Sequence, residues 1–226
     1  PLNAAKLYVS ALKEAKLDDN TTNIVEKLNQ SVNSSEALIG TLLDIARLDQ
    51  GDLKPSIEPV NVEQLLAPLL DEIAMKANEK GLLFKFNIRP CWALADKTYL
   101  YRIVQNLLSN AVKYTQKGKI LLTIKPAGNQ VIVRVYDTGI GISDDQQFLI
   151  FSDFYRTDNH TESGVGLGLG VVRRLSTQMN CNVSVESALG KGSRFEVRLS
   201  LTEAVQDNGN SKRAANSSFS GLRVLC

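Results

Sequence analysis

The period of the apolar residues divides the chain. Leu2, Ala5, Val9 and Leu12 recur at spacings of three and four, the period of a helix. Asp18-Asp19-Asn20 interrupts them, with Thr21 and Thr22 as candidate N-caps. The pattern resumes through Ile24, Leu28, Leu38, Leu42 and Ile45, with Ser31 and Ser35 between them. This spacing predicts a helical hairpin over residues 1–50. Two helices alone cannot bury both apolar stripes, so a second copy is expected to complete a dimeric four-helix bundle. Packing of the hairpin on its own globular domain is the other solution.

Gly51-Asp-Leu-Lys-Pro55 and Pro59 read as an interdomain linker over 51–60. A helix is predicted over about 62–80, ending near Gly81. Strands follow at 82–88, alternating around Phe84, Phe86 and Ile88, and at 92–95. Asp96 caps a helix running to about Tyr114, with Leu100, Ile103, Val104, Leu107, Leu108, Ala111 and Val112 as its buried side. Strands are predicted at 119–125 and 131–136, joined by a Pro126–Asn129 turn, and a short helix around 144–149. A helix with Val171, Val172, Leu175 and Met179 on one side precedes strands 182–186 and 193–201. The fold class is therefore α+β, a helical hairpin followed by a second domain over 61–202. Residues 203–220 are polar and read as a flexible linker, and 221–226 turn apolar again. Pattern alone leaves that last run as a locally docking strand or as the first strand of a further domain.

Composition changes this picture only by exclusion. The 226 residues are 43% hydrophobic with a net charge of +2, so no basic field points to nucleic acid. No apolar run approaches the roughly 20 residues of a membrane span, and no signal peptide opens the chain. Cys91, Cys181 and Cys226 lie far apart and form no metal spacing with the single His160.

Three stretches carry candidate chemistry. Arg102, Asn106, Asn110 and Lys113 share the polar side of one helix. Asparagine is a poor helix former, so propensity does not explain two of them one turn apart. Asp137-Thr-Gly-Ile-Gly-Ile142 ends an apolar strand. Its carboxylate can accept a ligand N–H, and Gly139 and Gly141 let backbone approach without a Cβ. Gly164-Val-Gly-Leu-Gly-Leu-Gly170 feeds a helix N-terminus, an arrangement whose amides and dipole suit phosphate. It is neither a Walker A loop nor the dinucleotide fingerprint.

Taken in order, these residues resemble a family. Asn106-Leu-Leu-Ser-Asn-Ala-Val-Lys-Tyr-Thr115, Asp137–Gly141, Phe151-Ser-Asp-Phe-Tyr-Arg156, Gly164–Leu169 and Gly190-Lys-Gly-Ser-Arg-Phe195 are similar to the sequence boxes of a sensor histidine kinase's catalytic ATP-binding domain. The hairpin resembles that family's dimerisation and phosphoacceptor domain. The resemblance implies the Bergerat ATP-binding fold, an α/β sandwich with a mixed sheet of about five strands. It implies ATP and Mg²⁺ as cofactors, with Asn110 and Asn106 as metal ligands. Asp137 would read the adenine amino group, with Ser193 supporting it and Gly139 and Gly141 admitting the base. Tyr114 would pack on adenine, while Lys113 and Arg156 would contact phosphates. Gly166 and Gly168, with the amides around Leu167 and Leu169, would cradle the triphosphate. Catalysis would fall to Asn106, Lys113 and Arg156. The family more often has Ala or Ser at the position of Gly170.

Pro1-Leu2 resembles the end of the acceptor-histidine box, which places the phosphorylated histidine five positions earlier. His160 would lie in the lid and would not be the acceptor. Residues 221–226 resemble the first strand of a receiver domain, so the expected parent is a hybrid kinase that relays phosphate to a receiver aspartate. The expected partners are a second copy of the chain and a response-regulator receiver domain. No nucleic acid or membrane contact by this stretch is expected, and the expected location is cytoplasmic, which is compatible with a membrane anchor elsewhere in the parent. Gyrase-like, mismatch-repair and chaperone ATPases are the rival reading. They carry glutamate where this chain has Asn106, and an amide cannot act as a general base at neutral pH. A non-catalytic dimerisation scaffold is the other rival, and the retained nucleotide-contacting residue types argue against it.

Overall fold

The computed structural model describes residues 2–15, 17–18, 20–29, 31–32, 35, 39, 54–152, 155, 167–204 and 223–224. The chain falls into two compact units that divide between Leu53 and Lys54.

The first unit contains helix α1, Leu2–Glu14, and a second helical stretch, α2, over 20–29. Asp18 starts α2 by accepting a hydrogen bond from the Thr21 N–H at 2.6 Å, a role the sequence suggested for Thr21 or Thr22. Val9 and Val25 are buried, while Leu12, Ile24 and Leu28 remain 41%, 57% and 47% exposed. The expected apolar face of α2 is therefore rotated: Val25 faces inward, and Ile24 and Leu28 do not. Leu38, Leu42 and Ile45 lie outside the described residues.

The second unit is a mixed sheet carrying helices. In chain order its strands are β1 (Glu58–Asn61), β2 (Leu83–Ile88), β3 (Trp92–Ala95), β4 (Lys119–Ala127), β5 (Gln130–Asp137), β6 (Asn182–Ala188), β7 (Gly192–Thr202) and β8 (Arg223–Val224). The order across the sheet is β1-β3-β7-β5-β4-β2-β8, with β6 also paired to β7. Only β2 and β4 run parallel; every other pair is antiparallel. The sheet of about five strands implied by the resemblance is thus corrected to eight. One addition, β1, falls inside the expected 51–60 linker, where Pro59 was read as punctuation. It is an edge strand, the place where a sheet tolerates a residue without an N–H. Pro126 also belongs to a strand, opposite Val131, and the turn shortens to Gly128-Asn129. Pro126 lies beyond Ile88, the last β2 residue in the β2–β4 ladder.

Helices α3 (Val62–Glu79), α4 (Lys97–Tyr114), the single turn α5 (Asp144–Gln147) and α6 (Gly168–Gln178) complete the unit. Asn61 caps α3 through the Gln64 N–H, and Asp96 caps α4 through the Tyr99 N–H. Gly81, at φ +70°, ends α3 with Leu82 N–H bonded to the Ala77 carbonyl and Gly81 N–H to the Asn78 carbonyl, a Schellman closure. Leu100, Ile103, Leu107 and Leu108 of α4 are at most 1% exposed, as are Ile120, Leu122, Ile124, Val131, Val133 and Val135 of β4 and β5. Each such aliphatic side chain contributes roughly 1.5–3 kcal/mol through burial. Val112, expected among them, is only half-buried. On the opposite face of the sheet, Glu196 is 4% exposed and accepts from Arg134 Nε at 2.5 Å and Arg198 Nε at 2.6 Å.

Thr115 closes α4 in an extended conformation (φ −99°, ψ 115°). It is fully buried, and its hydroxyl has no hydrogen-bond partner. Thr115→Val keeps the shape and removes the orphaned group, and extended backbone suits a β-branched residue. Thermal unfolding is expected to shift up by about 2–4 °C, from about 1 kcal/mol. A lower melting temperature would mean the hydroxyl has a partner, such as an internal water.

Candidate functional site

The site is assembled around the C-terminal end of β5. Asp137 is the last residue of that central strand, paired with Ile120 on one side and Ser193 on the other. Its Oδ1 accepts the Gly139 N–H at 2.8 Å, which folds the chain back over the carboxylate. Burial pushes the Asp137 carboxyl above the usual aspartate range; the N–H of Gly139 and the N–H and hydroxyl of Ser193 pull it the other way without cancelling the shift. Among the described residues no cation stands against this half-buried carboxylate, an arrangement that suits a ligand donor better than a salt bridge.

Backbone meets backbone around this carboxylate. A Cβ on Gly139 would lie 2.5 Å from the Tyr114 carbonyl oxygen, so the end of α4 sits directly against the turn. Gly141 adopts φ +71°, and a Cβ there would collide with the Ala188 carbonyl of β6. Gly190 N–H donates to the Ile140 carbonyl at 2.7 Å. Thr138 Oγ1 accepts the Lys119 N–H at 3.0 Å. These contacts tie the 137–142 turn to α4, β4 and the β6–β7 hairpin together.

The polar side of α4 runs away from the turn. Asn106 Nδ2 donates to the Arg102 carbonyl at 2.8 Å, which leaves Oδ1 as the free acceptor. A Cβ on Gly168 would lie 2.8 Å from that oxygen and 3.9 Å from Asn110 Nδ2. The first residue of α6 is therefore packed against both asparagines. No side chain caps α6, and Leu167, its buried N-cap residue, is apolar. Among the described residues no side chain caps the first amides of α6, at Gly168 and Leu169, which stand at the positive end of the helix dipole, where an anion is favoured. Lys113 Nζ lies over the Tyr114 ring, 4.9 Å from its centroid. Lys80 Nζ closes the last turn of α4 on the Val112 and Lys113 carbonyls at 3.0 and 2.7 Å.

The structure thus brings Asp137, Gly139, Ser193 and Tyr114 together at one end of α4, and Asn106, Asn110 and Gly168 at a point up to two turns back along it. Gly141 stands behind the turn, against β6. Arg156 and Gly166 lie outside the described residues. Phe151, which begins the segment leading to them, sets its ring edge-on to Phe195 with centroids 6.5 Å apart. Sequence reasoning missed Ser187, whose hydroxyl accepts the Ile142 N–H, and Gln147, which binds the Ser187 carbonyl. No motif marks them; only the register of β6 on β7 could have pointed to Ser187.

A donor set of amide oxygens fits a hard oxygen-preferring ion that takes its remaining ligands from phosphates and water. Among the described residues no cluster of three or more His, Cys, Asp or Glu could hold a metal by itself.

Two family models match the chain. One is the histidine kinase-, DNA gyrase B- and HSP90-like ATPase family, over residues 95–203; the other is the phosphoacceptor domain of histidine kinases, over residues 1–51. The Aerobic respiration control sensor protein ArcB of Escherichia coli is 33% identical over 92% of this chain and 28% of its own length. Sensor protein GacS of Pseudomonas syringae is 30% identical over 99% of this chain and 26% of its own. The chain spans little more than a quarter of these relatives. Among solved structures, full-length ShkA in complex with AMPPNP superposes with a TM-score of 0.75 at 33% identity, covering 90% of this chain and 44% of that one. Acinetobacter baumannii histidine kinase AdeS, at 17% identity and a TM-score of 0.64, covers 89% of this chain and 94% of its own, and shares the fold.

The raised Asp137 pKa has a sign that can be tested. In the fold the ionised form is disfavoured, so the folded chain binds this proton more readily than the unfolded chain does. Stability therefore falls as pH rises from the ordinary aspartate range through the raised pKa. Asp137→Asn removes this cost. At about pH 7 the ligand-free variant is expected to melt at or above the wild-type temperature, and its advantage is expected to shrink towards about pH 4. A variant that melts several degrees lower at about pH 7 would contradict this.

Proposed function

The chain belongs to the sensor histidine kinases, and from that premise we propose that its second unit binds Mg-ATP and passes the γ-phosphoryl group to a histidine of the helical hairpin domain. The observation that carries the reading is the pairing of two unsatisfied features along α4. At one end is the uncompensated Asp137 carboxylate. Further back, Asn106 Oδ1 and Asn110 face the uncapped start of α6. Residues 106 to 114 span about 12 Å at 1.5 Å per residue, which suits a nucleotide laid along the helix.

In this reading Asp137 accepts the adenine amino N–H, and Ser193 steadies it. Gly139 and Gly141 keep the pocket floor at backbone height, and Tyr114 packs on the base. The amides around Leu167, Gly168 and Leu169 hold the phosphates, with Gly166 ahead of them. Asn110 and Asn106 hold Mg²⁺, which when bound supplies charge neutralisation on the phosphates. Lys113 adds a cation on the same side, and Arg156, at the end of the Phe151–Arg156 motif, contributes a second. In the transfer, the bond from γ-phosphorus to the bridging oxygen breaks, a phosphorus–nitrogen bond to imidazole forms, and ADP leaves. The AMPPNP in the ShkA structure supports the nucleotide assignment. The acceptor imidazole is expected outside these residues, since His160 is the sole histidine here.

The domain division follows the same reading. Residues 1–50 form the dimerisation and phosphoacceptor hairpin and 61–202 the catalytic domain; of the two readings of 221–226, the pairing of β8 with β2 favours a locally docking strand over the start of a receiver. No described helix is long and apolar enough to cross a membrane; we propose a cytoplasmic placement for this stretch. A second copy would cover Leu12, Ile24 and Leu28, apolar side chains left exposed in one copy.

Three measurements test these points. Asp137→Asn is expected to lower affinity for a fluorescent ATP analogue about 10- to 100-fold; unchanged binding would refute the site. Asn110→Ala should lose affinity about 10-fold with Mg²⁺ present and change little in EDTA. In sedimentation the chain should run as a dimer, and Ile24→Glu should shift it to monomer. A wild-type monomer at tens of micromolar would sink the bundle.

A further inference from the structure

Ser187 stands in a row that crosses three strands. It pairs in register with Ser193 of β7, and Ser193 pairs with Asp137 of β5. The Ser187 hydroxyl accepts the Ile142 N–H at 2.8 Å. Its one proton has two acceptors within reach, the Gly192 carbonyl at 2.9 Å and Ser193 Oγ at 3.0 Å. Ser193 sits beside Asp137 in the β5–β7 ladder, and its N–H and hydroxyl work against the rise that burial gives that carboxyl. A second fastening runs beside the first. Gln147 Nε2 of α5 donates to the Ser187 carbonyl at 2.9 Å and approaches the Ile142 carbonyl at 3.3 Å. The hairpin backbone is pressed against the same residue, since a Cβ on Gly192 (φ +89°) would collide with the Asp137 carbonyl.

We infer that Ser187 is a positioning residue for nucleotide recognition: by joining the Ile142 amide to the Ser193 hydroxyl it holds the Asp137 carboxylate in line with the adenine amino group. The inference rests on the reading of Asp137 given above and goes beyond it, because Ser187 touches no part of the nucleotide. Without this hydroxyl, the Ile142 N–H loses its acceptor and Ser193 loses a neighbour that fixes its rotamer. Ser193 can then turn away from Asp137, and the carboxylate loses the direction that lets it discriminate a 6-amino purine from a purine without one. Among the described residues the phosphate end of the site, at Asn106 and α6, shares no hydrogen bond with this row, so it is expected to be unaffected.

The test compares two probes on the full chain, ATP and purine riboside triphosphate, which lacks only the 6-amino group. Wild type is expected to prefer ATP. Ser187→Ala should weaken ATP binding about 5- to 10-fold and analogue binding by less than about twofold, so the preference collapses. Ser187→Thr, which keeps the hydroxyl, should hold the preference within about twofold of wild type. A Ser187→Ala chain that keeps the wild-type ratio, or that loses both probes equally as general structural damage would, overturns the inference and leaves the Asp137 reading standing. A wild type that binds both probes alike overturns the Asp137 reading and this inference with it.

Discussion

Everything in the second unit depends on how closely three pieces of backbone approach one another at the end of β5. Gly139 lies against the Tyr114 carbonyl, Gly141 against the Ala188 carbonyl, and Gly192 against the Asp137 carbonyl. A side chain at any of the three would push apart α4, the β6–β7 hairpin or the turn itself. At Gly141 and Gly192 the backbone also takes a positive φ, so an L side chain would be strained even with space around it. The glycines therefore act as spacers of zero thickness. They let one carboxylate be reached by amides from its own turn and from β7 while its outer edge stays open.

That open edge has a cost, and the cost fits a binding role. The fold spends burial energy on keeping Asp137 inside without a cation, so the ligand-free carboxyl is easier to protonate than an ordinary aspartate. The start of α6 is left in a comparable state, with no side chain satisfying its first amides. Both groups want a hydrogen-bonding partner of opposite kind, a donor at Asp137 and an acceptor at α6. A nucleotide supplies both at once, and a ligand that binds only the folded chain stabilises it in proportion to its affinity. The aliphatic layer of Leu100, Ile103, Leu107 and Leu108 holds α4 rigidly enough to keep the two ends in register.

What could be read from the sequence followed from local rules. The amphipathic period of α4, the Asp96 cap, the Gly81 closure and the D-x-G-x-G turn all depend on residues within a few positions of each other. The misreadings were non-local. Pro59 and Pro126 look like breakers until the sheet order shows that one lies on an edge strand and the other beyond the end of a neighbouring strand. The same limit hid Ser187: an unremarkable serine in an edge strand gains its place only from the register that sets it beside Ser193. Arg156 and Gly166 rest on motif resemblance alone, since they fall outside the described residues.

The orientation of one amide separates the proposed reaction from its nearest rival. Asn106 commits its Nδ2 to the Arg102 carbonyl, so only its oxygen faces the start of α6. An amide oxygen can ligate a hard cation, but it is far too weakly basic to take a proton from water at neutral pH. A glutamate in the same place could do both. The geometry therefore supports charge neutralisation without generating a nucleophile, and hydrolysis of a bound triphosphate would be slow. A site of this kind is productive only when a nucleophile that needs little activation is brought to it, and a neutral imidazole nitrogen is such a group. In the proposed reaction the acceptor comes from elsewhere in the protein, and a separate phosphoacceptor hairpin, such as the family model over residues 1–51 describes, is a division of labour that suits a site with an amide at Asn106.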